Sequence, residues 1–327
     1  MQRKGYAKQV LIGIGILVLI LDGKTALAGA TDGIELCLRS VIPSLFPFFI
    51  LSDLLVSSIW GTSAHLLRIP GKLFRVPHGA ESLLVCSLLG GYPVGAKEIS
   101  CACQEGRISK EDALRLLSFC NQPGPAFLFG MVAPCLGSQL YAWLLWGIIL
   151  LSAWCVSTLT TPTGKRVALT VRQPSSPVKA MSGAIRTMGG VCGWIIIFRT
   201  VYAFLTRWFL RLLPNPIQVV ISGVLELSSG CAELAQLGDF GIRFVAAAFL
   251  LSFGGLCVQM QTASVLGQLP LLPCLLGKIT QSVFAGILAC AAVYGGMWYA
   301  AVAVIAICIF LFRKKGVAFS GNPVYNV

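Results

Sequence analysis

Gly95-Ala96-Lys97-Glu98, followed by Leu116-Leu117-Ser118-Phe119, returns later in the chain as Gly230-Cys231-Ala232-Glu233, followed by Leu250-Leu251-Ser252-Phe253. In each copy a carboxylate and Gly, Ser or Pro interrupt an apolar stretch. The apolar helix that follows is itself interrupted, by Asn121-Gln122-Pro123-Gly124-Pro125 in one half and by Gly254-Gly255 with Gln259 and Gln261 in the other. Matching breaks in two halves of a hydrophobic chain point to a binding site at the repeat interface. The expected fold class is therefore all-α: a polytopic membrane protein of two inverted repeats, each with a re-entrant or broken helical hairpin.

Composition supports this reading. Hydrophobic residues make up 56% of the 327 and charged residues 11%, against roughly a quarter charged in soluble domains. Mean hydropathy is +0.83. Basic residues outnumber acidic ones 25 to 12, but they gather between apolar segments and not beside stacking aromatics, which excludes nucleic-acid binding as their purpose and reads as membrane orientation. The 13 cysteines lie mostly within apolar stretches, where a thiol packs as a small residue. Cys101-Ala102-Cys103 lacks the further ligands a metal site needs, so no metal is expected.

Outward from the repeated motif, the chain reads as one integral domain over 1–327, with repeat one about 30–160, a cytoplasmic linker over 161–187 and repeat two about 188–312. The N-terminus, with Arg3, Lys4 and Lys8 before an apolar run from Val10 to Leu21, resembles a signal peptide; a retained first span is the preferred reading. Ile34 to Trp60 is the next span, kinked by Pro43 and Pro47. A basic loop with Arg68, Lys72 and Arg75 follows, in which His65 and His78 read as solvated bystanders. Glu81 to Lys97 holds fewer than the ~20 residues a span needs and reads as a re-entrant hairpin turning at Gly90-Gly91-Tyr92-Pro93.

Ser109-Lys110-Glu111-Asp112 has the spacing of a helix N-cap, and the charges from Glu105 to Arg115 read as a water-facing surface. Leu116 to Pro134 crosses outward and Leu140 to Leu159 returns, with Trp143, Trp146 and Trp154 suited to interface positions. Lys165, Arg166, Arg172, Lys179 and Arg186 mark the linker. Met188 to Leu213 crosses again, with Arg199 in mid-span and Arg207 and Arg211 toward the outer end. Ile217 to Ala235 is the second hairpin. Three crossings separate it from the first, so the two enter from opposite sides. Phe244 to Thr262 returns inward, Pro270 and Pro273 break the region after it, and Ile279 to Phe312 ends at the basic anchor Arg313-Lys314-Lys315; a split of this last stretch at Gly295-Gly296 stays open, for seven to nine segments in all. Both termini are thereby expected in the cytoplasm.

A polar solute leaving water needs replacement hydrogen bonds, each worth about 1–3 kcal/mol. The breaks supply them: Gly91, Tyr92, Gly95, Asn121, Gln122, Glu226, Ser228, Ser229, Gly230, Gln259 and Gln261 form the expected substrate-binding set. Arg199, Glu226 and Glu233 form the expected charge-pairing or coupling set, because intramembrane ionisable groups pair or function. Lys97 reads as an anchor of the first hairpin. No nucleophile elbow, phosphate loop or histidine metal pair is visible, so no catalytic residues and no enzyme activity are expected, and the only cofactor entertained is a coupling ion, sodium or proton.

The run Val41-Ile42-Pro43-Ser44-Leu45-Phe46-Pro47-Phe48-Phe49, then Gly91-Tyr92-Pro93-Val94-Gly95-Ala96-Lys97, then Gly106-Arg107-Ile108-Ser109-Lys110-Glu111-Asp112-Ala113 resembles the sporulation integral membrane proteins that carry the nucleoside-recognition Gate domain. The resemblance covers most of the chain and is more specific in its first half. It implies a bacterial inner-membrane protein associated with spore development, distantly similar in its paired hairpins to concentrative nucleoside transporters. The chain departs from the family pattern at Asn121-Gln122-Pro123-Gly124-Pro125, which carries an extra proline. The functional expectation is binding of a small polar, nucleoside-like solute between the hairpins, with transport as its extension. The rival is a non-transporting membrane scaffold for spore envelope assembly.

Overall fold

Helices begin and end where the sequence supplies caps and breakers. The computed structural model describes residues 2–59, 65–163 and 175–295, with Val302, Ile305 and Ala306 beyond them, and among these the chain is helical with no strand. Helix α1 (Gln2–Leu21) turns at Asp22, whose carboxylate accepts from Thr25 N as the N-cap of α2 (Gly23–Leu36). A π-helical turn, Cys37–Val41, joins α2 to α3 (Ile42–Ile59). It sits just before Pro43, which lacks the N–H an α-helix would use there. Ser44 Oγ donates to the Ser40 carbonyl at 2.6 Å, one turn back.

The region expected to be a basic loop is helical instead: α4 (His65–Leu73) carries Arg68 and Lys72. The first hairpin follows as two short helices, α5 (Glu81–Gly90) and α6 (Val94–Gln104). They cross closely at Gly95, where a Cβ would lie 2.6 Å from Ser87 Oγ. Helix α7 (Lys110–Cys120) is capped by Ser109 Oγ, which accepts from Asp112 N at 3.1 Å.

The water-facing surface expected here is corrected at Asp112 and Arg115, both buried. Asp112 also accepts from Thr163 N at 3.1 Å, and Arg115 donates to the carbonyls of Phe74 and Ser157, each at 3.2 Å. Tertiary contacts thus take both inside. Asp112→Ala, which strands the Thr163 donor, should therefore cost about 1–3 kcal/mol, readable as a lower unfolding midpoint in detergent, whereas exposed Glu111→Ala should change it little.

Beyond Asn121–Gly124 the chain resumes as α8 (Pro125–Phe127), a second π-turn at Leu128–Val132 and α9 (Ala133–Leu136). This π-turn again precedes a proline, Pro134, by the same spacing. Helix α10 (Gln139–Leu159) completes the first half. In the second half α11 (Pro177–Trp208) starts well before the expected Met188, so 177–187 is helix and not linker. Lys165, Arg166 and Arg172 lie outside the described residues. The second hairpin is α12 (Asn215–Leu225) and α13 (Leu227–Glu233). Helix α14 (Phe240–Phe253) breaks at left-handed Gly254 and continues as α15 (Gly255–Val265). Helix α16 (Leu272–Tyr294) begins earlier than the expected Ile279, with Pro273 in its first turn, where proline is tolerated. The expected continuation to Phe312 and the anchor Arg313-Lys314-Lys315 fall outside the described stretches.

Five segments are long and apolar enough to cross a membrane: Gly23–Leu55, Gln139–Leu159, Pro177–Trp208, Phe240–Val265 and Leu272–Tyr294. The first merges α2 and α3, and so begins earlier than the expected Ile34. The same order recurs in both halves: a hairpin of short helices, a broken helix, then a long unbroken one. The main core joins both sets, with Leu83, Phe119, Ile149, Phe244 and Phe284 all in one buried cluster. The long α2–α3 segment and α11 lie along this core as a second layer. Gly29 and Gly33 bring α2 against α11, where a Cβ would come 2.7 Å from Thr200 Cα and 2.9 Å from Ile196 Cα.

Candidate functional site

The chain turns in the first hairpin at Gly91, whose φ is +69° and whose added Cβ would lie 2.6 Å from Gly124 N. Only glycine fits both the left-handed backbone and that approach. The hairpin tip is thereby held against the break in the α7–α9 helix. In the second half Gly255, φ +72°, sits with its Cβ direction 2.9 Å from Gly223 O and 3.2 Å from Leu227 N. Each hairpin therefore seats its turn on the interrupted helix of its own half.

The two tips share one cavity. Gly91 and Tyr92 from the first hairpin, Gly124 from the first break, and Glu226, Ser228 and Gln261 from the second half all line it. Its volume is about 30 Å³, far below the roughly 150 Å³ that accommodates a benzene-sized molecule. The space suits a water or a small ion; a nucleoside does not enter this conformation.

Glu226 is buried and extended, φ −139° and ψ 112°, at the N-cap of α13. Its Oε1 accepts from Ser228 N at 2.9 Å, and its Oε2 from Ser229 N and Ser229 Oγ, both at 2.6 Å. Three donors hold the carboxylate, which explains how it is tolerated at this depth. Arg199, a candidate partner for Glu226 or Glu233, bonds Glu233 at 3.3 Å and Asp32 at 3.4 Å. The triad ties α11 to α2 and to the end of the second hairpin.

The amides divide by role. Asn121 Nδ2 donates to Thr262 Oγ1 at 2.9 Å, joining the two broken helices. Gln259 Nε2 donates to the Phe253 carbonyl at 2.8 Å, across the Gly254 break. Gln261 Nε2 reaches Cys257 Sγ at 3.3 Å. Buried atoms at these breaks without a hydrogen-bond partner among the described residues include Tyr92 OH, Asn121 Oδ1 and Gln259 Oε1. Such orphans are uncommon and call for a water, an ion or a ligand. Gly230 does not line the cavity. It lets the second hairpin close, since its Cβ would fall 2.1 Å from Gly223 Cα.

Gln122 belongs to a different cluster, one that sequence reasoning missed. Gln122 Nε2 donates to Gln281 Oε1 at 2.9 Å, and Gln281 Nε2 returns a bond to Gln122 Oε1 at 2.8 Å. Gln281 Nε2 also reaches the Ile149 carbonyl at 3.2 Å. Fully buried Lys278 donates to Gln281 Oε1 at 2.8 Å and lies 3.5 Å from Gln122 Oε1. No carboxylate lies within ion-pair distance of Lys278 among the described residues. Lys278 sits one residue before the expected stretch from Ile279 to Phe312 and has no role in the sequence reading; the signal that could have found it is Gln281 three positions on, sharing its helix face.

Three cavities follow one another along α11. The first is lined by Lys97, Arg186, Trp194 and Gln261 and has a volume of about 210 Å³. The small central cavity comes next, against Val191 and Ile195. The third, about 430 Å³, is lined by Asp32, Glu35, Arg199, Ser229 and Glu233. From Arg186 to Arg199 is about 20 Å of helix at 1.5 Å per residue. Gln261 belongs to the first two cavities, while Ser229, which lines the third, bonds Glu226 in the second.

These features define an all-helical, multi-pass membrane protein whose two halves each present an interrupted hairpin to a common centre. The chain is a homologue of the sporulation integral membrane protein YlbJ of Bacillus subtilis (strain 168): the two are 28% identical over 322 residues, covering 82% of this chain and 78% of the relative. That similarity supports the sporulation membrane protein family to which the motifs pointed. No family model and no solved structure matches the chain, so the resemblance to Gate-domain proteins rests on the motifs alone.

Proposed function

We propose that the chain is an inner-membrane protein of sporulating cells that binds a small polar solute between its hairpin tips and passes it across the bilayer by alternating access. The observation that carries this reading is the row of three cavities along α11, with the smallest in the middle. A closed centre flanked by a wider chamber at each end is what an occluded carrier would present. Tyr92, Glu226, Ser228 and Gln261 would contact the solute, with the unpartnered oxygens of Asn121 and Gln259 available once the breaks part. The halves would be inverted repeats, both termini cytoplasmic, and a nucleoside-sized solute would require the tips to separate. No catalytic role or nucleic-acid partner is part of this reading, and the coupling ion would be sodium or a proton.

The rival, a scaffold for spore envelope assembly, draws support from the small central cavity and from the Gln122–Gln281–Lys278 cluster, in which polar groups satisfy one another. Thermal unfolding of the purified protein across a panel of nucleosides and other small polar solutes separates the two. The carrier reading expects at least one solute to raise the midpoint, with the shift lost in Glu226→Gln and reduced in Asn121→Ala. A panel without any shift, in protein that unfolds cooperatively, favours the scaffold.

A further inference from the structure

Arg207 stands in the last turn of α11, Arg211 in the 3-10 turn Leu210–Leu212 just beyond it, and Lys24 at the start of α2. On the expected orientation this is the outer end, where the cytoplasmic Lys/Arg bias gives no reason for them. They line, with Thr25, Asp32 and Arg199, a polar cavity of about 370 Å³. Arg207 is spoken for, by Asp22 at 3.1 Å and Thr25 Oγ1 at 2.8 Å, and Arg199 by Asp32 and Glu233. Lys24 and Arg211 have no acidic partner among the described residues, and both are exposed.

The same helices carry a second concavity. An apolar groove of about 760 Å³ is lined by Val18 and Leu19 of α1, Leu27 of α2, and Ile197, Val201 and Trp208 of α11. From Trp208 to Ile196 it follows α11 for about 18 Å, close to the depth of one bilayer leaflet. Trp208, exposed beside Arg207, marks the interfacial height. A polar cavity that carries Lys24, Arg207 and Arg211 at its outer end therefore adjoins an apolar groove about one acyl chain deep.

We propose that this composite site holds an anionic phospholipid, its phosphate between Lys24 and Arg211 and one acyl chain in the α1–α2–α11 groove. Charge complementarity selects an anionic head, and the groove selects a lipid over free phosphate. The occupant would brace α2 against α11, which also carries Arg199.

The full-length protein in mild detergent, stripped of lipid, provides the test, read by thermal unfolding and by lipid retained in native mass spectrometry. Phosphatidylglycerol should raise the unfolding midpoint and stay bound, whereas phosphatidylcholine with identical chains and inorganic phosphate should do neither. The double variant Lys24→Gln/Arg211→Gln should weaken phosphatidylglycerol binding roughly 25-fold, about fivefold for each cation removed. Gly15→Phe fills the groove from a position with nothing within 4 Å of its Cβ, and should displace the lipid with the charges intact. Equal effects of the two lipids, full stabilisation by phosphate alone, or unchanged binding in either variant would overturn the proposal.

Discussion

Replacing Gln281 by leucine is expected to lower stability by about 3 kcal/mol or more, while replacing its neighbour Lys278 by methionine leaves stability unchanged or raises it. Gln281 is the hub of the buried cluster between the break after α7, α10 and α16, bonded to Gln122, Lys278 and the Ile149 carbonyl. Its loss strands several buried donors and acceptors, each worth about 1–3 kcal/mol and more where the group is charged. Lys278→Met removes the most demanding of those groups, and a well-packed apolar side chain often equals or exceeds the stability of a buried polar one. Unfolding in mixed micelles measures both. Equal destabilisation by the two variants would show that the amine itself contributes net stability, against this account.

The second large effect is expected at Gly230. A methyl group there would lie 2.1 Å from Gly223 Cα and 2.5 Å from Gly223 N, both backbone atoms that no rotamer change can move aside. Gly230→Ala should force α12 and α13 apart and cost about 3 kcal/mol, at the upper end of typical overpacking. Gly183→Ala, with nothing within 4 Å of its Cβ, should be neutral or slightly stabilising through helix propensity. A Gly230→Ala protein as stable as the parent would mean that the hairpin is not closed in this way.

What the sequence disclosed and what it hid divide by range. The breaks were legible because their causes are local: Gly91 and Gly254 take positive φ, Pro43 and Pro134 remove a donor, and Ser109 caps its own helix. Two other local signals were not used as helix starts: Asp22 is an N-cap, and Pro273, expected to break the chain, sits in a first turn; two helices accordingly start earlier than expected. The burial of Asp112 and Arg115 was not legible, since nothing in their own segment reveals that Thr163, Phe74 and Ser157 will cover them. In the Lys278 cluster only the Lys278–Gln281 pair is local; the other members, Gln122 and the Ile149 carbonyl, lie more than 120 residues away in the chain and were hidden for the same reason. Glu226 and Glu233 were legible as costly intramembrane acids. Their division of labour, one capping a helix and one pairing with Arg199, required the fold.

The central claim is that the two hairpin tips face each other across one cavity. Single cysteines at Tyr92 and Ser228, in a chain whose own cysteines are replaced by serine or alanine, can be joined in native membranes by a short bifunctional thiol reagent. The account predicts efficient cross-linking of this pair and none when the second cysteine is moved to Gln236, beyond the end of α13. Failure of the 92–228 pair to cross-link, with each thiol reactive on its own, would contradict it.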